Sequence, residues 1–119
     1  MPNYSFEFSI ETFSEANKTD HWICKNQRRK TQKLQVWAVL HNSSPSINPP
    51  CLIKLTRLSS RMMDSDNLVG AFKWIRDEIA NYINPGKRPG MADSDTRIKW
   101  EYAQEKSKKR SIRIEIFSL

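Results

Sequence analysis

The stretch that decides the fold is NLVGAFKWIRDEIANYI, residues 67–83. Its large apolar side chains recur at spacings of four, three, four and three, at Leu68, Phe72, Ile75, Ile79 and Tyr82. Such a period gives an amphipathic helix one apolar face. Acidic and hydroxyl residues at positions 64–66 suit a first helical turn, and Asn84-Pro85-Gly86 is a firm stop. The sequence therefore predicts one helix over residues 67–83.

Strands are predicted on both sides of this helix. Apolar and polar residues alternate over residues 4–10, 98–102 and 112–116, which is the pattern of a half-buried strand. Residues 51–58 are predicted as a further strand. The basic turn QEKSKKR joins the last two strands, so we expect them to form a hairpin.

The first part of the chain leaves two interpretations open. Over residues 28–41, the charged approach QRRKTQK contains neither Gly nor Pro and favours a helix, whereas LQVWAVL also suits a strand. We expect a loop over residues 11–27 and a connector over residues 42–50. The order β, α, β, α, β, β then predicts a single α+β domain over residues 1–119. In this domain a mixed β-sheet carries about two main helices packed on it.

Composition narrows the class of protein. The 119 residues include 20 Lys and Arg against 13 Asp and Glu, which gives a net charge of +7. No apolar run approaches the roughly 18 residues of a membrane helix, and the N-terminus shows no secretory leader. Cys24 and Cys51 lack the spacing of a zinc site or a disulfide framework, and no glycine-rich phosphate loop is present. We therefore expect a cytoplasmic protein with no membrane partner and no organic cofactor.

Basic residues concentrate in two clusters, residues 25–33 and 106–110, whereas residues 1–20 are acidic. Cationic groups at this density attract a polyanion because binding releases its counterions, although an ordinary solvated surface would have the same composition. The candidate DNA contacts are basic residues of these clusters and of the loop after the predicted helix: Arg28, Arg29, Lys30, Lys33, Lys87, Arg88, Lys108, Lys109 and Arg110.

Two pairs of carboxylates flank the predicted helix, Asp64 with Asp66 before it and Asp93 with Asp95 after it. Residues i and i+2 of an extended segment point to the same side, so each pair presents two of the hard oxygen ligands that Mg²⁺ prefers. A metal ion held in this way activates water for phosphodiester hydrolysis. The alternative is structural: the first pair caps the helix and the second pair belongs to a turn.

A motif in the second half of the chain, Asp64-Ser65-Asp66-Asn67-Leu68, is followed by a helix and by an acidic step three residues before Ile98. This arrangement, over about residues 51–119, resembles the RusA family of phage-type Holliday-junction resolvases. Asp64 and Asp66 match the first two metal-binding carboxylates of the family, and Asp95 matches the third. Residues 1–50 agree with the family only in outline.

The resemblance implies a Mg²⁺-dependent endonuclease of DNA recombination and repair, with Mn²⁺ able to replace Mg²⁺. Such an enzyme is a homodimer of phage or prophage origin that binds branched DNA and resolves four-way junctions by paired, symmetric nicks. The implied metal ligands are Asp64, Asp66 and Asp95, with Asp93 as a further ligand. The implied catalytic residues are those three carboxylates and Lys73.

The chain departs from the family pattern at two positions. Gly70 stands where the family has a lysine, and Ser94 stands where it has the first of two adjacent aspartates. Lys73 follows one helical turn later, on roughly the same face of a continuous helix. Asp93 lies one position before Ser94 and is the candidate to replace the missing aspartate. Two other hypotheses therefore stay open. One is a nucleic-acid-binding protein on the same fold with impaired catalysis, and the other is a small basic interaction protein whose carboxylates only cap helices.

Overall fold

The fold is described by a computed structural model that covers residues 2–10, 12, 22–86 and 95–119. Along these residues the elements are β1 (Tyr4–Phe8), α1 (Trp22–Ser43), β2 (Cys51–Ser59), α2 (Ser65–Ala71), α3 (Lys73–Ile83), β3 (Ile98–Lys106) and β4 (Ser111–Ser118). The strands form one four-stranded sheet in the order β1-β4-β2-β3. Three helices pack on this mixed sheet, which confirms the predicted α+β class.

The sheet is mixed because β2 pairs with β3 in parallel and with β4 in antiparallel orientation. Cys51 lies opposite Ile98 and Ser59 lies opposite Lys106, so the parallel ladder extends along the full length of both strands. β4 also pairs with β1 in antiparallel orientation. As a result, β1, β2 and β3 all finish at the end of the sheet where β4 begins.

The expected hairpin between residues 98–102 and 112–116 is wrong. β2 lies between β3 and β4, and residues 107–110 cross over its end, where the Ser107 N–H donates to the Ser59 carbonyl over 3.0 Å. An alternating pattern defines which side chains face the core, but it does not define the neighbouring strand. In its observed place β4 has a hydrogen-bonded neighbour on each edge, so the backbone groups on both of its sides are paired.

Helix α1 begins earlier than the sequence indicated. Residues 22–27, expected in a loop, belong to the helix, and the strand alternative for residues 28–41 is wrong. None of the residues 22–41 is Gly or Pro, so local propensity does not oppose a helix there. Gln32, Val36 and Leu40 form its buried stripe.

Within the described ranges, neither α1 nor a shorter helix is long and apolar enough to cross a membrane.

The helix predicted over residues 67–83 is divided into two. α2 ends and α3 begins at Phe72, whose backbone (φ −97°, ψ 4°) leaves the helical region. Gly70 weakens the helix just before this point, since glycine costs about 1 kcal/mol relative to alanine. A Cβ at Gly70 would contact nothing within 4 Å, so packing does not require a glycine there. The fully buried Phe72 side chain fixes the break against the core.

One hydrophobic core lies between the helices and one face of the sheet. The apolar face predicted from residues 68–79 and the alternating isoleucines of residues 112–116 are both part of it. Its buried members are Ile10, Val36, Leu40, Cys51, Ile53, Leu55, Leu68, Phe72, Ile75, Ile79, Ile98, Ile112, Ile114 and Ile116.

The other face of the sheet carries charges of alternating sign. Arg113 on β4 donates to Glu7 on β1 over 3.2 Å and to Glu105 on β3 over 2.9 Å. Lys54 on β2 lies in register with a glutamate on each neighbouring strand. Because positive and negative side chains are interleaved here, this face does not account for the basic excess of the chain.

Candidate nucleic-acid interface

Asp95 is separated from Asp64 and Asp66 by the length of a strand. The Met63 N–H donates to Gln104 Oε1 (2.8 Å) and Gln104 Nε2 donates to the Met63 carbonyl (2.7 Å), so Asp64 is held beside the end of β3. Asp95 lies at the start of β3, where its carbonyl accepts the Ile98 N–H over 3.1 Å. Six residue steps separate Ile98 from Gln104, which corresponds to about 20 Å along a strand.

Among the described residues, Asp95 is not brought together with Asp64 and Asp66, the carboxylates that the resemblance implies as ligands of one Mg²⁺ ion. Ligands of one Mg²⁺ ion lie about 2.1 Å from it, whereas Asp95 is at the opposite end of the sheet from Asp64 and Asp66. In the described ranges, no group of three His, Cys, Asp or Glu residues is placed to hold a metal ion. Asp93, Lys87 and Arg88 lie outside the described residues.

Asp64 and Asp66 are exposed at the start of α2. Asp64 occupies the N-cap position, but its side chain makes no capping hydrogen bond. Lys73 is exposed at the start of α3. Its proposed equivalence to a lysine one turn earlier assumed a continuous helix, and the break at Phe72 removes that assumption.

Asp95 is engaged by its own turn. Its Oδ1 accepts the Arg97 backbone N–H (2.9 Å) and the Arg97 Nε–H (3.0 Å), while its Oδ2 accepts Arg97 Nη2 (2.7 Å) and Asn84 Nδ2 (3.2 Å). The Arg97 side-chain and backbone donors, with help from Asn84, hold the pKa of this carboxyl well below its usual range. The arrangement fixes the entry to β3 and gives the Asp95 carboxylate a structural role.

We expect Asp95→Asn to destabilise the protein at neutral pH and to lose this effect in acid. The pKa of Asp95 is depressed in the folded state, so the stability it contributes is present above the unfolded-state pKa of about 3.9 and is lost as pH falls below it. The difference in Tm between wild type and variant should therefore be largest near neutral pH and shrink steadily between about pH 5 and pH 2. Thermal unfolding followed by circular dichroism at several pH values measures it.

Asp66→Asn is the matched control, since Asp66 is exposed and makes no side-chain hydrogen bond among the described residues. This variant should follow the wild-type Tm at every pH. A Tm difference for Asp95→Asn that stays constant from pH 7 to pH 2 would contradict the structural role of the charge.

Cations gather at the end of the sheet where β1, β2 and β3 finish and β4 begins, which we name the basic end. Residues 106–110 cross it, and Arg61 follows β2 there. The exposed basic side chains at this end are Arg61, Lys106, Lys108, Lys109 and Arg110. Thus the predicted cluster at residues 106–110, together with Arg61, lies at the basic end.

Helix α1 brings the second basic cluster towards the same end. Its last turns lie at the opposite end, where the Ser46 N–H donates to the hydroxyl of Tyr4, the first residue of β1 (3.2 Å). A 22-residue helix is about 32 Å long, so the first turns of α1 point back to the basic end. These turns carry the basic residues Lys25, Arg28, Arg29, Lys30 and Lys33.

Arg57 adds a buried positive charge at this end. The side chain is 8% exposed, and it donates from Nε to Thr12 Oγ1 (3.0 Å) and from Nη1 to the Arg61 carbonyl (2.6 Å). Both acceptors are neutral, and no carboxylate in the described part of the chain pairs with it. Burial, and next the charge of Arg110, lower the pKa of the guanidinium. The charge remains, because arginine stays protonated in proteins, and it raises the local potential.

A polar cleft of about 370 Å³ opens between the end of β1 and the β3–β4 connection. It is lined by Lys108 and Lys109, whose side chains end in ammonium groups, and by the serines at positions 9, 107 and 111. Glu7, which also reaches the cleft, is paired with Arg113. Ammonium and hydroxyl donors around one space suit the oxygens of a phosphate group.

Sequence reasoning missed several residues of the basic end. Neither Arg57, which lies in the strand predicted over residues 51–58, nor Arg61 was among the candidate DNA contacts. A signal was available for Arg57, because an arginine within an otherwise apolar strand must hydrogen-bond wherever it is buried. The three serines carried no signal, since they meet only after β1, β3 and β4 are assembled.

No protein family, curated protein or solved structure matches this chain. The resemblance to RusA-type resolvases thus rests on the quoted motif alone. The fold and the surface define an α+β domain with a cationic end, and function is inferred from these residues and their placement.

Proposed function

We propose that this protein binds nucleic acid through the basic end of its sheet. The observation that carries the proposal is topological: two basic clusters far apart in sequence are directed to one end of one fold. A chain folded for other reasons has no need to gather like charges, since their mutual repulsion disfavours it. A polyanion relieves that repulsion when it binds.

The local charge pattern supports a phosphate-bearing ligand. Among the described residues, Lys30, Lys108 and Lys109 form no ion pair, whereas Arg113 on the open face pairs with two glutamates. Arg57 supplies a further charge that no described carboxylate neutralises. The cleft beside Lys108 adds hydroxyl donors, which phosphate oxygens accept as readily as ammonium donors. Binding of nucleic acid in the cytoplasm is the role that joins these features.

A titration with labelled DNA tests the proposal. A four-way junction, a duplex and a single strand of matched sequence are each titrated by fluorescence anisotropy between 50 and 300 mM NaCl. We expect submicromolar binding at low salt and a steep linear fall of log K with log salt, because each phosphate contact contributes a slope of about −0.9 on duplex DNA. Weak binding with a flat salt dependence would contradict the proposal.

Junction cleavage is a second candidate, favoured by the position of Asp64 and Asp66. Both carboxylates lie exposed beside the basic end, and that of Asp64 makes no capping hydrogen bond. Mg²⁺ is often bound by one or two carboxylates together with waters and substrate phosphates. Asp95, the third carboxylate that the resemblance implies, would have to come from a second copy, as in the homodimer of that family. Cleavage therefore requires a bound metal ion and a second copy of the chain, whereas binding requires only the basic end.

A gel assay separates the two candidates. A labelled four-way junction is incubated with wild type or with Asp66→Asn, in Mg²⁺ or in EDTA. Paired nicks that need Mg²⁺ and disappear in the variant support the nuclease. A retarded band that stays uncut in Mg²⁺ and in Mn²⁺ supports binding alone.

A further inference from the structure

A groove between α1 and α3 carries aromatic rings in a solvent-accessible position. It has a volume of about 310 Å³ and is lined by Trp37, His41 and Tyr82, together with Glu78 and Asn81. Volumes of about 300–1,000 Å³ are typical of small-molecule sites. Neither the predicted nuclease chemistry nor the basic end uses this groove.

The rings form a fixed ladder. The Trp37 and His41 ring centroids are 4.5 Å apart with 32° between the planes, and His41 meets Tyr82 edge to face at 5.4 Å. The Tyr82 hydroxyl donates to the Pro45 carbonyl over 2.7 Å, which holds that ring in place. Trp37 is the outermost ring and is 47% exposed. Part of the Trp37 ring is thus accessible to solvent at the groove.

A side-chain amide lies in the groove beside the exposed Trp37 ring, and two lysines precede this ring on α1. The Asn81 amide lines the groove and makes no side-chain hydrogen bond within the described ranges. Lys33 lies one helical turn before Trp37 on the same face, 4.0 Å from the Glu78 carboxylate, and Lys30 lies two turns before it. The exposed face of α1 therefore runs from Lys30, through Lys33 and its partner Glu78, to an aromatic groove that Asn81 of α3 also lines.

We infer that the groove takes an unpaired base of a nucleic-acid strand whose phosphates lie on Lys30 and Lys33. A base has a face that stacks on an aromatic ring and edges that an amide can hydrogen-bond, and the phosphate next to it requires a cation. The groove supplies the aromatic ring and the amide, and the adjoining part of α1 supplies the cations. A fully paired duplex keeps its bases stacked and offers no such face. This inference rests on the proposed function and narrows its ligand to strands with unpaired bases.

The test compares a strand with and without bases. Wild type, Trp37→Ala and Leu34→Ala are titrated with a 12-nucleotide oligo-dT, with its abasic counterpart of equal length, and with oligo-U to distinguish RNA from DNA. Leu34 is the matched control because it is 64% exposed on the same helix and does not line the groove. Trp37→Phe tests rescue by a smaller ring.

Trp37→Ala should weaken oligo-dT binding about tenfold or more, as expected for one stacked base. Leu34→Ala should change it less than twofold, Trp37→Phe should recover part of the loss, and the abasic strand should bind all variants equally. Equal effects of Trp37→Ala and Leu34→Ala, or an equal loss with the abasic strand, would overturn the inference. Wild-type binding that is steeply salt-dependent but equal for both strands would overturn it and leave the proposed function standing. Failure of every single strand to bind would overturn the inference, and failure of the four-way junction and the duplex to bind as well would remove the proposed function.

Discussion

Removing two charges from the basic end, with Lys108→Gln and Lys109→Gln together, should lower nucleic-acid affinity about 50-fold at 0.1 M salt. Each phosphate contact contributes about 0.9 to the slope of log K against log salt on duplex DNA. Loss of two contacts therefore flattens the slope by about two and removes nearly two orders of magnitude at this salt concentration. The measurement is anisotropy of a labelled duplex over a salt series.

A control of equal charge separates contact from net charge. Lys54→Gln with Lys99→Gln removes two lysines from the strands away from the basic end, in the middle of the sheet and at the start of β3. Its salt slope should match that of wild type, and its affinity should fall by much less. Adding Lys30→Gln to the first pair should weaken binding about eightfold more if both clusters touch one ligand. Equal effects of the two lysine pairs would mean that the basic end has no special role.

Phe72→Ala should cost about 3–5 kcal/mol of unfolding free energy. Phe72 is among the largest fully buried side chains, and it lies where α2 meets α3, with its ring centroid 6.1 Å from that of Tyr102 on β3. Truncation leaves a cavity in the core at the junction of the two helices. A loss of this size is a large part of the 5–15 kcal/mol typical of a domain. Urea unfolding followed by tryptophan fluorescence measures it.

Val69→Ala serves as the control for this prediction. Val69 lies in α2 but is 45% exposed, so its truncation should change the free energy of unfolding by no more than about 0.5 kcal/mol. If Phe72→Ala does not fold, Phe72→Leu gives a smaller loss that can still be compared with Val69→Ala. Similar losses for Phe72→Leu and Val69→Ala would show that the junction between the helices is not anchored by this ring.

Much of the fold followed from apolar spacing. The period of Leu68, Phe72, Ile75, Ile79 and Tyr82 predicted a buried helical face. The first four side chains are buried in the core, and Tyr82 is partly buried and packs against it. The alternation over residues 112–116 likewise predicted the buried isoleucines of β4. These patterns succeed because burial of a face depends on the period of the side chains along one element. They do not predict which elements become neighbours.

The candidate site was harder to predict because it depends on those neighbours. Asp64 and Asp95 were grouped as ligands of one metal ion, yet a chain that leaves β2, forms helices over residues 65–83 and returns to a parallel strand must travel the length of the sheet. Helical residues rise about 1.5 Å each, so the separation of Asp64 from Asp95 could have been predicted from the length of the helical segment. The placement of both basic clusters at one end could not be predicted in this way, because it depends on the position of β4 between β1 and β2.

The position of β4 also has a consequence for biosynthesis. This strand comes last of the described elements, yet it lies inside the sheet and supplies the hydrogen-bonded neighbour of β1. On a translating ribosome, β1 and the β4-facing edge of β2 must wait with open backbone edges until residues 111–118 have left the exit tunnel. Pairing between the first and the final strand closes a very long loop, which slows folding. Until β4 pairs, these open strand edges make the nascent chain prone to aggregation.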